Sequence, residues 1–155
     1  ILTGDDFGAQ NGLLISADMW RQFLKPGFCD YIGLIKRNGV KAMHHTCGSV
    51  VDIIPDMIEC GLDILQSIQP EASGMSLGNL MKQFGQDLCF QGGVSIQKTM
   101  PYGSQDDIRH EIQSLADIAK QNGGYIFGTS HNIQADTPVE SILTLMESYL
   151  EYGRI

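Results

Sequence analysis

A repeated change of period constrains this chain more than any other feature. Short apolar runs alternate with helical stripes along the whole sequence. Each change marks a new element, because strand side chains repeat every two residues and helical ones every 3.6. Ile1 to Thr3 is a first strand that breaks at Gly4 into an acidic loop. Ser16 predicts an N-cap for a helix through Trp20, Phe23 and Leu24, with Asp18 in its first turn. Pro26 interrupts that helix, and a second stretch with Phe28, Tyr31, Ile32 and Ile35 on one face stops at Asn38-Gly39. Val40 to Thr46 is a second strand, after which Ser49 caps a helix carrying Ile53, Ile54, Met57 and Ile58, ended by Gly61. Leu62 to Ile68, Leu88 to Gly92 and Tyr125 to Phe127 are three more strands. The helices after them begin at Ser76, Ser104 and Thr137-Pro138; the first of these stops at Gly85 and the second at Asn122-Gly123-Gly124.

Strands alternating with capped helices build βαβ units and a parallel sheet. A doubly wound sheet and a (βα) barrel both fit that pattern. Neither a G-x-G-x-x-G turn after a strand nor a P-loop occurs, which removes the main support for a nucleotide-binding doubly wound fold. The polar residues favour the barrel. Asp5 and Asp6 follow the first strand, His45 and Cys47 close the second, and Gln66 and Gln69 end the third. Gln91 lies in the fourth, and Ser130, His131 and Asn132 follow the fifth. Every strand thus delivers chemistry at its C-terminal end, the active-site face of a (βα) barrel. The expected fold is the C-terminal part, about five βα units, of a TIM-type (βα)8 barrel, with residues 1–155 as one partial domain. The same gathering favours an enzyme over a scaffold.

Charge and cysteine content narrow the function further. The net charge is −8, and the ten Lys and Arg are scattered without a basic run, so nucleic acid and anionic membranes are not expected partners. No apolar run is long enough to span a bilayer. The first residues are apolar, with no initiator Met and no basic leader, and read as part of a longer protein. Cys29, Cys47, Cys60 and Cys89 contain no C-x-x-C pair and do not suggest a disulfide framework. A reducing cytoplasm is the expected compartment, with Cys60 and Cys89 as small buried hydrophobes.

His45-Thr46-Cys47 is the most informative triplet. Residues two apart on a strand share a face, so an imidazole and a thiolate can converge on one metal, while His44 points the other way. A helix capped by Ser49 would set its positive end beside Cys47 and lower the thiol pKa. A zinc site needs a third protein ligand and, if catalytic, an open fourth position. His131, at the matching end of the fifth strand, is the best candidate, with Asp5 or Asp6 as oxygen alternatives. A histidine at a strand end is also commonly a hydrogen-bonded core residue. Ser130-His131 lacks the G-x-S-x-G elbow of a serine hydrolase. Gly92-Gly93 marks either a tight bend or a close ligand approach.

Five motifs in order carry a family resemblance. Gly4-Asp5-Asp6-Phe7-Gly8-x-Gln10, His45-Thr46-Cys47-Gly48-Ser49, Ile68-Gln69-Pro70, Phe90-x-Gly92-Gly93 and Ser130-His131-Asn132-Ile133-Gln134 resemble the C-terminal portion of the uroporphyrinogen decarboxylase superfamily. The resemblance implies one of two activities. One branch comprises metal-free decarboxylases, carboxy-lyases of porphyrin biosynthesis. The other comprises methyltransferases that move a methyl group between a corrinoid protein and a thiol or tetrahydrofolate. Zinc-dependent members of the second branch carry H-x-C and a later cysteine; here His45 and Cys47 match the pair, and His131 stands where the cysteine is expected. The resemblance therefore implies a zinc site at His45, Cys47 and His131, catalytic positioning by Asp6 and Gln10, and substrate contacts at Gln69, Gly92, Gly93 and Asn132. It also implies a small-molecule substrate and a corrinoid-carrying partner protein. A truncated, non-catalytic half barrel that pairs with another copy is the remaining alternative, since five units cannot close an eight-stranded barrel.

Overall fold

A computed structural model of the chain describes residues 1–122 and 124–153. Its central feature is a five-stranded parallel sheet with helices between the strands. The elements run β1 (Leu2–Gly4), a short antiparallel hairpin of β2 (Gly8–Ala9) and β3 (Gly12–Leu13), α1 (Ala17–Phe23), α2 (Lys25–Arg37) and β4 (Met43–His45). A 3-10 turn (Val51–Ile53) leads into α3 (Ile54–Glu59), followed by β5 (Ile64–Ile68), α4 (Leu77–Phe84) and β6 (Cys89–Val94). The chain continues through α5 (Thr99–Tyr102), α6 (Gln105–Asn122), β7 (Tyr125–Thr129) and α7 (Val139–Tyr152). The sheet order is β1-β4-β5-β6-β7, so each sheet strand pairs with the next one in the chain. This is the consecutive parallel pairing of a (βα) barrel, present in part.

Register assigns the two faces. His44, Leu65, Phe90 and Tyr125 form one row across β4 to β7, and His45, Gln66, Gln91 and Ile126 form the next. The first row faces the helices. Leu65 and Phe90 there are fully buried with Ile32 and Ile35 of α2, Leu77 and Leu80 of α4, and Ile108 and Ile112 of α6. Each such side chain contributes roughly 1.5–3 kcal/mol by leaving water. His44 joins this layer, stacked on Phe7 and edge-on to Phe28, and burial pushes its imidazole down to about 4. The second row faces the barrel interior and carries the polar side chains of His45, Gln66 and Gln91.

Local chemistry explains most boundaries. The Ser16 hydroxyl accepts the Met19 N–H at 3.2 Å, and Asp107 and Ser104 cap α6 reciprocally. Leu24 separates α1 from α2, whose Pro26 falls in the first turn, where no intrahelical N–H is needed. Gly39, with a φ of 71°, turns the chain out of α2. The last helix starts one residue later than the sequence predicts, with Pro138 itself as the cap. Of the predicted stop at Asn122-Gly123-Gly124, Gly123 lies outside the described residues.

Three expectations are corrected. Ser49 caps no helix: its N–H donates to the Ala9 carbonyl at 2.8 Å, binding it to the hairpin instead. The hairpin and α5 are both shorter than any periodic signal can reveal. Cys29 and Cys60 form a disulfide, which the spacing did not suggest. Consecutive βα units set α2 beside the end of α3, bringing Cα atoms 31 residues apart in sequence to 4.6 Å. Cys60 is thus a half-buried cross-link and not a small buried hydrophobe, and such bonds are rare in the reducing compartment expected above. Among the described residues, no helix is long and apolar enough to cross a membrane.

Candidate metal centre at the barrel mouth

The C-terminal strand ends surround a cavity of about 780 Å³. Thr3 to Asp6, His45, Gln66, Ser67, Gln91 and Thr129 to Asn132 line it, so all five sheet strands contribute. His45, Cys47 and His131 each turn a ligand atom into one space, with all three atoms within 4.8 Å of one another. His45 and Cys47 belong to the end of β4, and His131 follows β7, three strands away. On a flat sheet that separation is about 14 Å. Curvature of the sheet brings the three together.

The loop after β4 is held from several sides. The Asp6 carboxylate accepts the Cys47 N–H at 2.8 Å, and Thr46 Oγ1 accepts the Phe7 N–H at 3.0 Å. The Gly48 N–H donates to Gln69 Oε1 at 2.5 Å. Gly48 has a φ of 75°, and a Cβ there would fall on the Gly8 carbonyl. Glycine is required at 48 on both counts.

The donor set suits a tetrahedral cation site with one open position. Cys47 Sγ lies 3.4 Å from His45 Nε2. Zinc bonds of ordinary length place tetrahedral N and S ligands about 3.5 Å apart, so this pair already has the required bite. The other ring nitrogen, Nδ1 of His45, lies 3.3 Å from Gln66 Oε1. That contact selects the tautomer in which Nδ1 donates to the amide and Nε2 keeps its lone pair for a metal. Asp6 stands 3.9 Å from Nε2 of His45, close enough to stabilise positive charge at the site. Thr129 Oγ1 donates to the His131 carbonyl at 2.7 Å and fixes the backbone of the third candidate.

The electrostatics correct one expectation. Ser49 caps no helix, and the Cys47 thiol is not lowered. Burial pushes its thiol up to about 11, and the Asp6 carboxylate adds to the rise. A cation would reverse this balance, since a coordinating thiol loses its proton outright.

The remaining sequence candidates divide. Asp6 and Asn132 line the cavity. Gln10 sits on the exposed hairpin turn, its amide reaching Gln97 at 3.5 Å, and does not line the cavity. Gln69 is buried, with its carbonyl committed to Gly48. Gly92 and Gly93 have positive φ and pack against the Ile68 backbone and Leu115, which supports the bend over the ligand approach. Gln66, noted in the sequence only as a polar strand end, emerges as the orienter of His45. Its place opposite His45 in the register is the signal that identifies it.

The chain matches the family described as uroporphyrinogen decarboxylase (URO-D) over residues 2–152. It belongs to that family. A curated relative, the methylcobamide:CoM methyltransferase MtaA of Methanosarcina barkeri, is 30% identical over 139 residues, covering 90% of this chain and 38% of the relative. A methyltransferase from Methanosarcina mazei superposes with a TM-score of 0.77 at 24% identity, over 98% of this chain and 42% of that one. The latter likeness establishes the partial barrel fold. The chain thus spans about two fifths of the length of the relatives it matches.

Proposed function

We propose that this chain forms the metal-binding part of the mouth of a corrinoid-linked methyltransferase. The reaction class is transfer of a methyl group between a corrinoid carried by a partner protein and a thiol or tetrahydrofolate acceptor. One observation carries this reading: three soft or borderline donors, His45, Cys47 and His131, converge within 4.8 Å at the C-terminal strand ends. A metal-free decarboxylase has no use for that convergence. The relative described as a methylcobamide:CoM methyltransferase supports the same branch.

Zinc held by these residues would supply Lewis acidity at its open position, where an acceptor thiol ionises near neutral pH. The chain's own residues do the rest. His45 Nε2, Cys47 Sγ and His131 hold the cation, and Gln66 keeps Nε2 of His45 unprotonated by accepting from Nδ1. Asp6 pins the Cys47 backbone and offsets the positive charge. Asn132 lines the same cavity as His45 and His131 and is available to orient the acceptor. His131, in place of the cysteine implied by the family resemblance, leaves the ligand set one negative charge lower and the cation correspondingly more electrophilic.

Metal analysis of the purified protein tests this. One equivalent of zinc is expected, with Cys47→Ser and His131→Ala each weakening it by tenfold or more in chelator competition. Zinc content indifferent to both substitutions overturns the site. Methyl transfer from methylcobalamin to a thiol, followed by the cobalamin spectrum, tests the activity; uroporphyrinogen conversion insensitive to chelator would favour the decarboxylase instead.

A further inference from the structure

The floor of the mouth holds more hydrogen-bonding capacity than the fold uses. Ser67, at the end of β5, is 2% exposed, and Ser130, directly after β7, is fully buried; both line the cavity. Neither hydroxyl has a hydrogen-bond partner among the described residues. The same holds for Oε1 of Gln91, on the strand between them. A buried polar group without a partner destabilises the fold unless a ligand engages it. Of the eight such side-chain atoms among the described residues, three lie behind this single cavity, and that clustering calls for a functional explanation.

The backbone holds all three in place. Gln91 pairs with Gln66 in the register, and an irregularity between Gln66 and Ile68 lets both Gln66 and Ser67 border the mouth. The Ser130 N–H donates to the Val94 carbonyl at 2.8 Å. Both hydroxyl oxygens are buried in the wall of the cavity that their residues line.

The chemistry of this wall is neutral. The cavity lining contributed by the described residues includes no Lys or Arg, and its carboxylates are Asp5 and Asp6 at the rim. An anionic ligand end would meet those carboxylates, with the proposed cation already engaged by the thiol. Two hydroxyls both donate and accept, and a carboxamide does the same, so together they match a neutral group with a donor and an acceptor side by side.

We propose that Ser67, Gln91 and Ser130 form a specificity subsite for a neutral carboxamide or lactam edge of the methyl acceptor. The proposal rests on reading this mouth as an acceptor site. Calorimetry on the full-length, zinc-loaded protein with the matched thiols 3-mercaptopropionamide and 3-mercaptopropionate tests it. The amide is expected to bind about tenfold more tightly, the equivalent of one good hydrogen-bond set. Ser67→Ala with Ser130→Ala should bring that ratio close to one. Zinc content and melting temperature should hold, because the hydroxyls removed have no partner in the fold. Cys47→Ser should weaken both thiols alike and leave the ratio intact. The thiol-free pair propionamide and propionate separates the two readings: if thiols bind no better than these, the metal reading fails while the subsite stands. Equal binding of amide and acid, a ratio that survives the serine substitutions, or no binding of either amide overturns the subsite.

Discussion

At the scale of single residues, the site depends on a loop with no slack. Gly48 combines a left-handed backbone with a Gly8 carbonyl that any Cβ at this position would strike. Gly48→Ala adds about 1–2 kcal/mol of backbone strain and a comparable packing penalty. The expected outcome is a loss of about 2–4 kcal/mol in denaturant unfolding, together with weaker zinc binding, since the hairpin and Cys47 move as one piece. A variant with unchanged stability and metal affinity would show that the loop yields. Residue identity was the part most legible in the sequence. Alternation on a strand put His45 and Cys47 on one face and His44 on the other, and both hold. The state of the Cys47 thiol was not legible, because burial and the neighbouring Asp6 carboxylate set it. Ser49 binds the hairpin, whose strands are two residues each and leave no periodic trace.

At the scale of elements, Asp63 is a clamp between helix and sheet. Lys36 of α2 lies 2.6 Å and Lys41 2.9 Å from the carboxylate, which also accepts the Ala42 N–H at 2.8 Å. Burial alone would raise its pKa, but these three partners outweigh it and hold the carboxyl at about 2. A group depressed on folding stabilises the native state above its unfolded pKa, near 3.8, and loses that contribution as pH falls toward 2. The amount is about 2 kcal/mol. Asp63→Asn should therefore lower stability by about that much at pH 7 and by little at pH 2, read from urea midpoints at the two values. A pH-independent difference would assign the loss to packing. The strands and long helices around this clamp were legible because their apolar positions repeat over several turns. The disulfide between Cys29 and Cys60 was not, because its partners meet only through the packing of two separate units.

At the scale of the whole molecule, the barrel arc leaves apolar surface at its flanks. Val139, Leu143, Met146 and Leu150 follow one face of α7 and are each more than half exposed. Met19 and Phe23 of α1 are also exposed, at 47% and 65%. An exposed apolar stripe of this kind marks a surface that associates. The 155-residue chain alone is expected to sediment as oligomers, and Leu143→Glu with Leu150→Glu should shift it to smaller species at equal concentration. A monodisperse monomer before substitution would contradict this. The overall architecture was legible because five strand–helix repeats with polar C-terminal ends admit few topologies. The degree of curling was not, because no single residue encodes it.

That curling has a mechanical side. His45 and Cys47 at one end of an arc of four strands and His131 at the other define a chord of under 5 Å across a distance that a flat sheet would stretch to about 14 Å. A cation shared across it would act as a string on a bow. Bending in β5 or β6 would then be felt at the ligands as a change of bite, without any ligand being touched. Substitutions along those two strands, remote in sequence from the histidines, would thus adjust how tightly the mouth grips a bound cation.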